Sequence, residues 1–168
     1  MEVTPRCGSD YDPFKSNTNR KHRDDECEGI WSDVERRMIR TEIQIRFNDM
    51  DPMRRVNNSS YSTYLELARL DFCNRYLSVV ELEDIPFVLA RVEMDLKASV
   101  LPGASIYVST WVSAIGTTSW EFSYEIRDGK TETLYVSAKT VQVYFDYRAK
   151  TKKPIPPEFL KSLEKESL

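Results

Sequence analysis

The chain has 168 residues, a length that favours one domain with one hydrophobic core. Hydrophobic residues make up 40% of it and charged residues 30%, a balance typical of a globular protein in water. The formal net charge of -3 gives no general attraction for nucleic acid, and no apolar stretch is long enough to span a bilayer.

The only histidine is His22, in a polar N-terminal stretch, so carboxylates are the expected catalytic groups rather than a histidine base. The cysteines, Cys7, Cys27 and Cys73, are odd in number and predict no disulfide framework. Their spacing with His22 matches no zinc pattern, so no metal is expected. The first ten residues lack the pattern of a signal peptide, and a cytoplasmic location is expected.

Residues 1–36 are polar, without an apolar period, which predicts a flexible extension with at most a short helix near residues 30–38. The folded domain is predicted over residues 37–168. It opens with a strand over residues 39–47, where apolar and polar side chains alternate, followed by a polar loop over residues 48–58.

A helix follows over roughly residues 59–77, with Asn57, Asn58 or Ser59 as its candidate cap. Its apolar side chains cover more than half of its circumference, which is typical of a buried helix. The apolar residues of one face are Tyr61, Tyr64, Leu65, Ala68 and Phe72, and those of another are Leu67, Leu70 and Leu77.

The rest of the chain is predicted to form strands joined by tight turns at Pro102-Gly103 and Asp128-Gly129, before a short amphipathic helix. Alternating side chains predict strands over residues 88–97, 106–114, 120–126 and 133–147. One apolar helix and an antiparallel sheet predict a two-layer α+β domain, in which the sheet curves around the helix.

The loop before the helix carries the residue most suggestive of chemistry, Asp51. Free backbone amides at the start of a helix carry partial positive charge, so they would polarise a thioester carbonyl and hold its developing oxyanion. Asp51 could attack that carbonyl and form an anhydride, or activate a water. Its alternative role is to stabilise the positive end of the helix.

This stretch resembles the signature of the 4-hydroxybenzoyl-CoA thioesterase family, which has Asp-x-Asp, an asparagine pair, two aromatic residues and Glu-x-Ala-Arg. The matching segments are Asp49-Met50-Asp51, Val56-Asn57-Asn58, Tyr61, Tyr64 and Glu66-Leu67-Ala68-Arg69. Further similarity, at residues 87–95, 101–103, 116–119 and 153–157, extends the resemblance over about residues 39–165.

The resemblance implies the hot-dog fold, a curved antiparallel sheet wrapped around one long central helix. It implies a homodimer or homotetramer with active sites at the subunit interface. The implied substrate is an acyl group on CoA or acyl carrier protein, with CoA as part of the substrate and no other cofactor. Asp51 matches the catalytic carboxylate, and Asn58 matches the position whose backbone amide polarises the carbonyl.

Asn57 is a candidate substrate contact as well as a candidate cap. Six further residues are candidate substrate contacts, and each has a simpler alternative role: Arg54, Arg55, Tyr61, Glu66, Thr118 and Ser119. Tyr61 could be part of the core, and Glu66 could form a helical ion pair with Arg69 instead of acting as a second acid. A simple turn explains Thr118 and Ser119 as well as contact across a subunit interface does.

Arg54-Arg55 replaces the Gly-His of the common signature. The two arginines could contact CoA phosphates or an acidic carrier protein, or remain solvated in the loop. The predicted function is hydrolysis of an acyl-CoA thioester to a carboxylic acid and CoA. An acyl-carrier-protein thioesterase and a non-catalytic module that binds acyl-CoA are the alternatives.

Overall fold

The computed structural model of the protein describes residues 38–76 and 85–165. The predicted flexible extension over residues 1–36 lies outside the described residues. The same is true of Cys7, His22 and Cys27, which were considered as metal ligands, of most of the predicted short helix, and of Leu77. The strands are β1 Ile39–Ile43, β2 Phe87–Leu96, β3 Ile106–Ile115, β4 Ser119–Asp128, β5 Leu134–Asp146 and β6 Thr151–Lys152. The helices are a 3-10 turn Phe47–Asp49, α1 Asn58–Tyr76 and α2 Pro157–Lys165.

The strands form one antiparallel sheet in the order β1-β3-β4-β5-β2, with the short β6 paired to β5. Helix α1 packs against the sheet and contacts β1 and β3. The face of α1 predicted to be apolar is buried, since Tyr61, Tyr64, Leu65, Ala68 and Phe72 all lie in the core. The ring of Phe72 packs against Phe122 of β4 with a centroid distance of 4.7 Å, which joins the two layers.

The first strand is shorter than the predicted span of residues 39–47. It ends at Ile43, which pairs with Ile106, the first residue of β3, so β3 offers no partner backbone beyond that point. Phe47, predicted to lie in the strand, belongs instead to the 3-10 turn, and its side chain is 93% exposed. The strand therefore stops early, and the chain turns toward the start of α1.

The connection from β4 to β5 lies where the Asp128-Gly129 signal predicts it, but it is longer than a two-residue hairpin. The Asp128 carboxylate accepts hydrogen bonds from the backbone amides of Lys130 and Thr131, both at 2.9 Å. Glu132 takes the positive φ, 57°, that closes the turn. The turn at Pro102-Gly103 is present as expected, with Gly103 at a φ of 82°.

Strand β2 is exposed although its sequence alternates like a half-buried strand. It lies at the edge of the sheet, where nothing else in the described chain covers it. Leu89, Val92 and Leu96 are 45%, 41% and 47% exposed. The second apolar face of α1 is also incompletely buried, because Leu67 is exposed and Leu70 is half-buried.

Candidate active site

The loop between β1 and α1 folds back on itself and presents Asp51 beside the helix. An isolated antiparallel bridge joins Met50 to Val56. Inside it, the Asp51 amide donates to the Arg55 carbonyl at 2.7 Å, and the Arg54 amide donates to the Asp51 carbonyl at 3.0 Å. These bonds make a closed turn whose tip is exposed.

The Asp51 carboxylate is half-buried and oriented by its own loop. Its Oδ1 accepts hydrogen bonds from the backbone amides of Met53, at 2.8 Å, and Arg55, at 3.0 Å. Within the described part of the chain, Oδ2 accepts no hydrogen bond. One carboxylate oxygen therefore fixes the side chain, and the other is available to a substrate or a water.

Asn57 caps α1, as predicted. Its Oδ1 accepts hydrogen bonds from the Ser59 amide at 3.0 Å and the Ser59 hydroxyl at 2.9 Å. The backbone amide of Asn58, the first residue of the helix, has no acceptor among the residues that the structure describes. This free amide is one of the unsatisfied donors that every helix start leaves.

Asp51 and Asn58 face the same cleft, which has a volume of about 320 Å³. The cleft lies between the loop, the first turn of α1 and the segment after β2. Its walls are formed by Asp51, Met53, Arg55, Val56, Asn58, Tyr61, Leu96, Lys97, Ala98 and Ser99. An acidic residue and the first residue of α1 thus line one space that is large enough for a carbonyl group.

Tyr61 also lines this cleft, although its residue surface is only 2% exposed. Burial raises the pKa of its hydroxyl, a hydrogen bond with the Val100 backbone opposes this, and the charge of Asp51 raises the pKa further. The hydroxyl therefore stays protonated at neutral pH. It is both a core residue and a hydrogen-bonding group at the cleft wall.

The two arginines of the loop point to different sides. Arg55 lines the cleft, and its Nη1 donates to Ser99 Oγ at 3.4 Å. Arg54 borders a second depression of about 600 Å³, on the other side of Asp51. Arg54 has a φ of 59°, in the left-handed region, at the position where the signature has glycine. The loop keeps a conformation suited to glycine in spite of the substitution.

Glu66, Thr118 and Ser119 do not line the cleft. Glu66 is exposed, and the predicted ion pair with Arg69 is absent from the described structure. Arg69 is instead buried, with Nη1 donating to the Tyr124 hydroxyl at 3.5 Å. The prediction failed because Arg69 lies on the face of α1 that packs on the sheet, whereas Glu66 faces outward.

Thr118 and Ser119 lie at the opposite end of the sheet from the cleft. The Thr118 carbonyl accepts from the amide of Tyr144, which pairs with Phe87 at the start of β2. Leu96, at the other end of β2, borders the cleft. The two ends are about 30 Å apart along the strand, so Thr118 and Ser119 lie far from Asp51 and Asn58 of the same chain.

Lys97 and Ser99 are cleft residues that the sequence did not single out. Both residues follow β2, and the only feature that the sequence predicted after them was the turn at Pro102-Gly103. Their place beside Asp51 comes from the backbone hydrogen bond in which Val56 donates to the Val100 carbonyl at 3.0 Å.

In the described residues, no group of three His, Cys, Asp or Glu side chains is arranged to hold a metal ion.

A sequence model of the thioesterase-like superfamily matches residues 45–163, a span that contains the loop, α1 and the sheet from β2 to β6. The chain belongs to the thioesterase-like superfamily. This confirms the resemblance of the Asp51 loop and helix to a thioesterase signature, and the protein is a thioester hydrolase. No curated protein is significantly similar to it in sequence.

Solved structures of thioesterases share this fold. A predicted thioesterase from Bacillus stearothermophilus superposes with a TM-score of 0.73 at 22% identity, covering 78% of this chain and 97% of its own. A Thermus thermophilus thioesterase complexed with coenzyme A and zinc superposes with a TM-score of 0.69 at 25% identity, covering 76% of this chain and 92% of its own. A candidate acyl-CoA thioesterase from Xanthomonas campestris superposes with a TM-score of 0.60 at 32% identity, covering 65% of this chain and 93% of its own.

The fold of this thioesterase-like protein is therefore the hot dog, as the sequence predicted. Six antiparallel strands form a curved sheet around α1, and α2 follows the last strand. In the described ranges, neither helix is long and apolar enough to cross a membrane.

The left-handed backbone at Arg54 predicts a measurable strain. Arg54→Gly is expected to be more stable than Arg54→Ala by about 1 kcal/mol, because glycine adopts a positive φ without a Cβ clash. Chemical denaturation of both variants measures the difference, and the alanine variant controls for loss of the guanidinium. Equal free energies of unfolding would show that the loop carries no strain at this residue.

Proposed function

We propose that the protein hydrolyses acyl-CoA thioesters in the cleft, with Asp51 as the catalytic carboxylate. The observation that carries this proposal is that Asp51 and Asn58, whose backbone amide has no acceptor in the described chain, line the same cleft. Membership of a thioesterase-like superfamily supports the reaction class.

The chemistry follows from these two groups. The thioester carbonyl oxygen accepts a hydrogen bond from the Asn58 amide, at the positive end of α1, and negative charge on that oxygen is stabilised as the carbon is attacked. Asp51 either takes a proton from an attacking water or attacks the carbon itself. In both cases the carbon–sulfur bond breaks, and water is consumed to give a carboxylic acid and a thiol.

The size and charge of the cleft suit a CoA thioester. About 320 Å³ accommodates the thioester and the adjoining end of its pantetheine arm, so the nucleotide would remain at the mouth. Arg55 and Lys97 border that mouth with exposed positive charges that phosphates can contact. The coenzyme A in the Thermus thermophilus structure supports the same substrate class.

Replacing the catalytic carboxylate tests the proposal. Asp51→Asn is expected to lower kcat for thiol release by about 100- to 10,000-fold, because the amide neither attacks nor accepts a proton. Glu66→Gln is the matched control, since it removes a carboxylate on α1 that lies outside the cleft, and it should retain full turnover. An active Asp51→Asn variant would remove Asp51 from the mechanism.

Acyl-CoA binding by the wild-type protein with no thiol release over a broad panel of acyl-CoA thioesters would favour the alternative, a non-catalytic module that binds acyl-CoA.

We also propose that the active unit is a homodimer formed through β2. The outer edge of this strand has no backbone partner in the described chain, and it carries exposed Leu89, Val92 and Leu96. Antiparallel pairing with a second β2 would cover these side chains. It would also bring the Phe87 end of one strand to the Leu96 end of the other, and so carry Thr118 and Ser119 of the partner subunit toward the cleft.

A charge at the centre of β2 should break this pairing. Val92→Asp is expected to give a monomer and a large loss of kcat, because the carboxylate cannot be buried against a second strand. Val92→Thr has nearly the same shape and should keep both the dimer and its activity. Sedimentation velocity reports the assembly, and a monomeric wild-type protein with full activity would contradict the proposal.

A specific surface feature favours acyl carrier protein as an alternative substrate carrier. Phe47 and Met53, 93% and 72% exposed, lie beside the exposed guanidinium groups of Arg46 and Arg54. Phe47 and Arg54 border the second depression, which shares Asp51 with the cleft. Exposed apolar side chains next to cations suit an acidic protein surface better than they suit a free nucleotide.

Comparison of the same acyl group on CoA and on carrier protein separates the two substrates. If carrier protein is the natural carrier, Phe47→Ser should lower kcat/KM for the protein-borne thioester by about tenfold or more while the CoA thioester is unaffected. An equal effect on both substrates would exclude a docking role for Phe47.

A further inference from the structure

Asp49 accepts four hydrogen bonds: two from the first two turns of α1, one from Asn57 just before that helix and one from Arg46 ahead of the loop. Its Oδ2 accepts from the Tyr64 hydroxyl at 2.9 Å and from the Arg46 amide at 2.7 Å. Its carbonyl accepts from the Asn57 amide at 2.8 Å and the Ser60 hydroxyl at 3.1 Å. One residue thus binds both the chain before the loop and the helix after it.

We infer that Asp49 is a positioning residue for the reaction, which sets the gap between the Asp51 carboxylate and the Asn58 amide. This inference rests on the proposed function and adds to it a residue that touches neither substrate nor reacting atoms. The sequence analysis named Asp49 only as part of the Asp-x-Asp match.

The covalent path shows why the gap depends on Asp49. Asp51 follows Asp49 by two residues, and Asn58 directly follows Asn57, the residue whose amide Asp49 holds. The two reacting groups therefore sit just inside and just outside one closed loop. If the closure loosens, the carboxylate moves relative to the amide, and displacements of about 1 Å are enough to lower a rate about 100-fold.

The hydrogen bond from Tyr64 to Asp49 is protected from competing water, because the Tyr64 side chain is buried. The side chain is buried between α1 and the loop, so its hydroxyl needs a protein acceptor. Burial, the hydrogen bond to Asp49 and the charge of Asp49 raise the pKa of Tyr64, and the hydroxyl stays protonated as the donor. The loop is thereby tied to the core rather than to a mobile surface group.

A variant of Asp49 can lose its negative charge and keep its hydrogen bonds. Both donors reach the same oxygen, Oδ2, so an asparagine can accept both through its single carbonyl oxygen. Asp49→Asn should therefore keep most of the positioning, and Asp49→Ala should lose it.

Asp71 provides a matched control on the same helix. Its carboxylate accepts from the Thr41 hydroxyl at 2.7 Å and pairs with Arg75 at 2.8 Å, so it also joins α1 to a neighbouring segment. It does not line the cleft. Loss of this link should lower stability without changing the distance between Asp51 and Asn58.

The test measures kcat per folded enzyme for Asp49→Ala, Asp49→Asn and Asp71→Ala, together with their thermal stability. Asp49→Ala is expected to lower kcat by about 10- to 100-fold. Asp49→Asn should remain within about fivefold of wild type, since a neutral hydrogen bond replaces a charge-assisted one. Asp71→Ala should lower Tm and leave kcat unchanged.

The decisive measurement repeats Asp49→Ala in the Asp51→Asn background. A residue that acts through Asp51 has nothing left to position there, so the double variant should be no slower than Asp51→Asn alone. An undiminished further loss, or a normal kcat in Asp49→Ala, would overturn the inference. If Asp51→Asn were itself fully active, the proposed function would fail instead, which keeps the two failures distinct.

Tyr64→Phe covers the case in which Asp49→Ala does not fold. It removes one hydrogen bond and keeps the buried ring, and it should lower kcat by about two- to tenfold with the KM unchanged. A wild-type kcat in that folded variant would also count against the inference.

Discussion

The candidate site depends on the hydrogen bond from the Asn57 amide to the Asp49 carbonyl, which joins the loop to the first turn of α1. Asn57 serves two purposes there, because its amide closes the loop and its side chain caps the helix. The next amide, that of Asn58, is left without a partner in the described structure and borders the cleft. One local arrangement thus creates both the helix start and the donor that a developing oxyanion needs.

The proposed mechanism uses neither a histidine nor a residue from a distant part of the same sheet. The carboxylate and the amide donor lie within eight residues of each other, Asp51 to Asn58, and the loop bonds orient the carboxylate by one of its oxygens. The sheet contributes in a different way. It buries one face of α1 and, within the described residues, leaves the outer edge of β2 without a partner strand, which is the edge through which we propose that a second subunit pairs.

The backbone at Arg54 has a conformation that suits the glycine of the common signature. Arg54 adopts a left-handed φ of 59°, which glycine reaches without a Cβ clash. A side chain at such a position costs free energy, and the bonds of the surrounding loop keep it in place. Arg54 therefore adds positive charge at the second depression, whereas Arg55 adds it at the cleft, so the two arginines lie on opposite sides of the loop.

The kinds of elements and the neighbours of Asp51 could be predicted from local patterns, because helix periods, strand alternation and caps are local properties. Features that depend on distant partners became visible only in the folded chain. Strand β1 ends at Ile43 because β3 begins at Ile106, and β2 is exposed because it lies at the sheet edge. Arg69 lies in the core rather than pairing with Glu66, because packing against the sheet selects one face of α1. Periodicity along a chain shows which side chains share a face, but the rest of the chain decides whether that face is covered.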